Sequence, residues 1–117
     1  MVIAPSLFAA DAGRLAQETA DVEKAGARYL HIDIMDGHYV PNLSFGPHVV
    51  AGLRSASNMV FDIHLMIGQP LRFCRTFIEA GADMLAAGTA VFGKADRKGA
   101  IDSLLTVIDL TKTEEMV

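Results

Sequence analysis

The feature that most constrains this chain is an alternation: short runs rich in strand-forming residues give way to longer stretches with helical spacing, and glycine marks the return. Ala25-Gly26-Ala27 and Ala80-Gly81-Ala82 repeat that hand-over. This is the rhythm of a parallel α/β protein, in which a helix carries the chain back to the same end of the sheet. Four such units are visible. The first strand is expected at Val2 to Ser6, and its helix starts near Asp11, a good N-cap, and passes Leu15, Thr19 and Val22 before Gly26. The second strand is expected at Tyr29 to Met35, followed by a loop rich in Gly, Pro and Asn and a helix from about Pro47 to Ser55. The third strand, Val60 to Met66, precedes a helix with Pro70 in its first turn and Gly81 just past its end. The fourth strand is expected at about Met84 to Ala87, and the last helix at Asp96 to Leu110, with Thr111 to Val117 as a frayed tail.

No linker or low-complexity segment divides residues 1–117, so a single domain is expected. A closed (β/α) barrel takes eight units and about 250 residues. The fold class expected from the alternation is α/β, about four units with a parallel sheet and two open edges.

Composition narrows the function. A net charge of −4, with no dense run of Lys and Arg, excludes an electrostatic grip on nucleic acid. No stretch reaches the ~20 apolar residues of a membrane span, and Met1 to Pro5 lacks the basic start and apolar run of a secretory signal, so a cytoplasmic location is expected. The single cysteine, Cys74, shares a helical stripe with Leu71, Phe77 and Ile78 and is assigned to packing.

Chemistry concentrates on two strands. Side chains alternate across a strand, so Leu30, Ile32 and Ile34 take one face and His31, Asp33 and Met35 the other. Phe61, Ile63 and Leu65 likewise oppose Asp62, His64 and Met66. Central parallel strands are normally apolar on both faces, and an unpaired buried carboxylate is costly. A divalent cation resolves the conflict: His31 and Asp33 lie two residues apart on one face, and an adjacent strand ~4.8 Å away brings in His64. Imidazole with carboxylate suits zinc, iron(II), manganese or cobalt. The plainer alternative makes both histidines hydrogen-bonded core residues, with Asp33 paired to one of them. His38 and His48 fall in loop or helix-start positions, where solvated side chains are expected.

Ala4-Pro5-Ser6, the run from His31 through Asp36-Gly37-His38 to Asn42, Phe45-Gly46-Pro47 and Asp62-Ile63-His64-Leu65-Met66 together resemble the ribulose-phosphate 3-epimerase family. The likeness runs in order to about Asp83, and Gly81 to Asp109 then resembles the family's last strand and helix. Gly81-Ala82-Asp83 stands at the junction of the two parts. The resemblance implies a partial TIM (β/α) barrel, one divalent metal held by His31, Asp33 and His64, a sugar-phosphate substrate, and proton transfer at C3 interconverting D-ribulose 5-phosphate and D-xylulose 5-phosphate. It implies that Asp33 is the base, that Ser6, His64, Met35 and Met66 contact substrate, and that Gly88 and Thr89 form a phosphate-binding turn. For Met35 and Met66 the alternative is ordinary packing, and for Gly88-Thr89 a tight connection.

Two family parts have no counterpart here: the Asp-Gly-Gly segment with the second catalytic aspartate, and the glycine-rich phosphate loop. Three outcomes therefore stay open: an active pentulose-phosphate epimerase, a remnant that at most binds metal or sugar phosphate, and an epimerase for a hexulose phosphate such as allulose 6-phosphate. Open parallel edges lead us to expect homo-oligomers.

Overall fold

The computed structural model describes residues 1–115, and for 111–115 the backbone alone. Three strands, β1 (Tyr29–Met35), β2 (Val60–Met66) and β3 (Met84–Ala86), form one parallel sheet in sequence order. Five helices accompany them: α1 (Leu15–Lys24), α2 (Pro47–Arg54), α3 (Pro70–Ala80), the single turn α4 (Thr89–Phe92) and α5 (Arg97–Glu115). The two long strands fall at the bounds that alternation predicts.

Register explains the core. Leu30 pairs with Phe61, Ile32 with Ile63 and Ile34 with Leu65, so the apolar rows of β1 and β2 lie side by side on one face. All six are buried, together with Val50 and Leu53 of α2 and Cys74 and Phe77 of α3. Cys74 is the packing residue its stripe suggests, and burial pushes its thiol pKa up, away from nucleophilic use. The same register sets His31 opposite Asp62 and Asp33 opposite His64 on the other face.

The expected first strand is a correction. Val2 to Ser6 forms no strand; it meets β1 only at one parallel bridge, Ser6 with His31, where the His31 N–H donates to the Pro5 carbonyl at 2.8 Å. Pro5 has no N–H to offer a ladder, and no strand lies on the segment's outer side to hold Val2 and Ile3. Buried Leu7 then anchors the chain before a 3-10 turn at Leu7–Ala9.

Other boundaries shift for local reasons. Asp11 caps a 3-10 turn, Ala12–Arg14, by accepting from the Gly13 N–H, and α1 follows at Leu15. β3 stops at Ala86, one residue short of the expected end, and α4 occupies part of the stretch expected as a connection. Asp96 caps the last helix, accepting from the Gly99 N–H at 3.0 Å. That helix continues through residues 111–115, expected as frayed tail, because nothing between Leu110 and Glu115 is a glycine or proline that would stop it; 116 and 117 lie outside the described residues.

At the opposite end of the sheet from the C-terminal loops, Arg54 ties the units together. Its guanidinium donates to the carbonyls of Gly81, Ser57 and Met59 and to the Asp83 carboxylate, and lies 3.9 Å from the Phe61 ring centroid. Asp83 in turn accepts from the Phe61 N–H at 2.8 Å. Gly81 is needed twice here: its φ of 125° suits glycine, and a Cβ would run into the Arg54 side chain. On the neighbouring turn Glu23 accepts from the Ser57 hydroxyl and the Asn58 N–H, which hold its pKa below the usual carboxylate value.

Replacing Arg54 with Met strands three carbonyls and a carboxylate, and a loss of roughly 2–4 kcal/mol in urea unfolding is expected. Glu23 binds fewer protons folded than unfolded, so its contribution is full above the unfolded pKa and disappears as pH falls through the lowered folded one. Glu23→Gln should therefore flatten the acid limb of the stability curve measured by the same unfolding experiment.

Candidate metal centre

The residues facing away from the core converge at the C-terminal ends of β1 and β2. Asp33 sits at the centre: its Oδ1 lies 2.9 Å from His31 Nε2 and 3.3 Å from His64 Nδ1. Its other oxygen accepts from the Ser6 hydroxyl at 3.4 Å. One ligand atom from each of His31, Asp33 and His64 lies within 4.8 Å of the others. The imidazole rings stand 5.9 Å apart, tilted by 51°, so they flank the carboxylate without stacking.

These separations fit a cation. Bonds of ~2.1 Å in tetrahedral array hold ligand atoms about 3.4 Å apart, close to the 2.9 and 3.3 Å separations at Asp33 and inside the 4.8 Å that spans all three ligand atoms. All three are partly buried, with side-chain exposures of 25%, 18% and 31%, which leaves the set open on one side. A site closed on three protein ligands and open to a fourth is the form that catalytic metals use.

Asp62 completes the arrangement. Its Oδ2 lies 2.9 Å from His31 Nδ1, the ring nitrogen turned away from Asp33. A carboxylate on the far nitrogen orients a histidine ligand and sets its tautomer. Burial disfavours the His31 cation, but the Asp62 hydrogen bond and the Asp33 charge outweigh it and raise the pKa above the ordinary value. Sequence left Asp62 as a second carboxylate on the face without a task; the signal for one was its position in the row opposite His31.

The remaining expected residues divide between two places. Ser6 reaches the Asp33 carboxylate, and Met35 and Met66 pair in register at the ends of their strands, Met35 buried and Met66 partly so. Gly88 and Thr89 follow β3 at the same end of the sheet, where both are exposed. Thr89 lines a separate cleft of about 790 Å³ with Tyr39, Gly68, Arg72 and Lys94, whose lining does not include His31, Asp33 or His64.

Two further residues shape the mouth: Ser44, which the sequence does not single out, and Asp36, whose place in the Asp36-Gly37 turn suits a loop hydrogen bond. Ser44 accepts from the Met35 N–H at 2.9 Å and donates to the Asp33 carbonyl, folding the long loop onto the end of β1. Asp36 accepts from the Gly68 N–H at 3.1 Å and from the backbone and ring of His38, and these bonds lower its pKa. The loops after β1 and β2 are thereby joined beside the centre. His38 and His48 are exposed, as their positions suggest.

Comparison with known proteins identifies the family and the fold. The sequence signature of the Ribulose-phosphate 3 epimerase family matches residues 2–95. The ribulose-phosphate 3-epimerase of Bacillus subtilis (strain 168) is 48% identical over 84 residues, which are 72% of this chain and 39% of the relative. That of Chlamydia trachomatis serovar D is 41% identical over 85 residues, 73% of this chain and 36% of the relative. The chloroplastic ribulose-5-phosphate-3-epimerase of Arabidopsis thaliana is 40% identical over 86 residues, 74% of this chain and 31% of the relative. The chain thus spans about two-fifths or less of the length of the relatives it matches. Among solved structures, thiamine phosphate pyrophosphorylase from Pyrococcus furiosus superimposes with a TM-score of 0.66 at 20% identity, over 82% of this chain and 46% of that one, a likeness of fold alone. With four-fifths of its length inside the family signature and its polar strand faces meeting at one point, this chain belongs to the ribulose-phosphate 3-epimerase family.

Proposed function

We propose that this chain carries ribulose-phosphate 3-epimerase chemistry at one divalent cation, zinc, iron(II), manganese or cobalt, held by His31, Asp33 and His64. The observation that carries the reading is the single Asp33 carboxylate shared by two imidazoles at the open end of a parallel sheet. A cation bound there would supply Lewis-acid stabilisation of the charge that develops on the sugar oxygens. The protein's own residues supply the rest. Asp33 takes the C3 proton of D-ribulose 5-phosphate, and the C–H electron pair moves into the enediolate. Asp62 keeps His31 oriented, Ser6 offers a hydroxyl beside the base, and Met35 and Met66 give the planar intermediate an apolar surface. His64 stands on the open side, within reach of substrate as well as metal. Gly88 and Thr89, in the turn after β3, receive the phosphate. We place this chemistry in pentose phosphate metabolism in the cytoplasm; among the described residues no helix is long and apolar enough to cross a membrane.

Inversion needs a second acid on the far side of the substrate. Asp62, the other carboxylate on this face, is held by His31, so the proton that leaves C3 returns from Asp33 to the face it left. This favours exchange at C3 without net epimerisation. The parts of the family pattern that are missing here, the Asp-Gly-Gly segment above all, account for that difference.

Metal-loaded protein incubated with ribulose 5-phosphate in deuterated water should exchange the C3 proton, followed by NMR, while xylulose 5-phosphate stays near background. Asp33→Asn should slow exchange by on the order of 100-fold or more, and a chelator should abolish it. Rapid xylulose 5-phosphate formation would reveal an opposite-face acid and overturn the exchange-only account; no exchange and no metal uptake would overturn the catalytic one. In calorimetric titration with zinc, His64→Ala should remove the high-affinity site and Asp62→Asn should weaken it about 10- to 100-fold. Unchanged affinity in His64→Ala would place the cation elsewhere.

A further inference from the structure

Both ends of the sheet carry surplus apolar surface. Among the described residues, only the bridged segment before Leu7 lies beyond β1, and its Val2 and Ile3 are 65% and 76% exposed. A groove of about 730 Å³ runs along it, lined by Val2, Ile3, Val22, Ala27 and Tyr29. At the other end β3 has a partner on one side alone, and Met84 and Phe92 are 47% and 70% exposed. An apolar pocket of about 370 Å³ lies on that side between the sheet and helices α3 and α5, lined by Leu65, Cys74, Leu85, Phe92 and Leu105.

The surplus can be sized. The chain exposes 7352 Å², whereas a compact monomer of 12.5 kDa exposes about 6,200 Å². Its radius of gyration is 14.5 Å, against about 13.4 Å for a compact chain of this length. Covering the excess of roughly 1,200 Å² on each of two copies would bury about 2,400 Å² in all, within the range of obligate homodimers.

We propose that the occupant of both edges is a second copy of this chain. The segment Val2 to Ser6 of each protomer lies along β3 of its partner, and the two equivalent contacts close a ring of eight strands. Direction permits it, because the bridged segment, β1, β2 and β3 are all parallel, and a two-fold axis along the ring keeps them so. Number permits it as well, since three strands and the bridged segment from each copy, once that segment pairs on both sides, make the eight that close a barrel of this class. The contact also gives Val2 and Ile3 the neighbour they lack in a single chain. The polar faces of both copies then line one enclosed interior. The pairing stands on the open edges and is independent of the metal chemistry.

Sedimentation equilibrium of the metal-free protein tests it. The mass expected is twice the 12.5 kDa of one chain. Ile3→Lys and Met84→Lys place a charge in the contact and should each halve that mass while keeping the helical circular dichroism, because both residues are exposed in the single chain. Hydrogen exchange on the unaltered protein gives a second readout: the amides of Val2 and Ile3 and the outer amides of β3 should be protected. A 12.5 kDa wild-type species, an open-ended series of larger ones, or unprotected amides at Val2 and Ile3 would overturn the proposal. So would a dimer that survives Ile3→Lys, since its contact would lie at β3 alone.

Discussion

The carboxylate of Asp33 is the group on which the rest depends. It stands on β1, on the face turned away from the helices and only 18% exposed, where an isolated charge would be costly, and two imidazoles and a serine hydroxyl answer it. The register of β1 on β2 makes this possible. A slip of one residue would turn His64 toward the helices and Ile63 toward Asp33, emptying the centre and breaking the core at once. Fold and chemistry are thus set by the same pairing: one row of each strand packs on α2 and α3, and the other row gathers the polar groups.

The scaffold around that pairing is asymmetric in stability. On the N-terminal side of the sheet, Arg54 donates to the carbonyls of Gly81, Ser57 and Met59 and to Asp83, while the Glu23 carboxylate accepts from Ser57 and Asn58, and these charged hydrogen bonds join the β/α units. At the site end, single loop residues, Ser44 and Asp36, hold the connections in place. This division, with stabilising contacts at one end and the candidate site at the other, is that of (β/α) barrels generally. What sets this chain apart is that its sheet stops after three strands and a bridge, leaving apolar edges on both sides.

Much of this was legible from residue order because the signals were local. Alternation placed Tyr29 to Met35 and Val60 to Met66 on strands and set His31, Asp33 and His64 on one face, and Pro70 and Gly81 bounded α3. The failures came where structure depends on neighbours distant in sequence. Val2 to Ser6 has the composition of a strand but no partner on its outer side, so propensity alone misled there. Arg54 looks like any exposed helix arginine, and its role exists only because Ser57, Met59 and Gly81 turn their carbonyls toward it. Asp62 and Ser44 likewise acquire a purpose only in three dimensions, when a ring nitrogen or a strand end arrives beside them.

The most direct test of the central claim is X-ray absorption at the metal edge of protein loaded with one equivalent of cobalt or zinc. The account predicts a first shell that includes two imidazole nitrogens and a carboxylate oxygen at about 2.0–2.2 Å, with the outer-ring scattering of two histidines. A shell of oxygens alone, or the signature of a single imidazole, would contradict it.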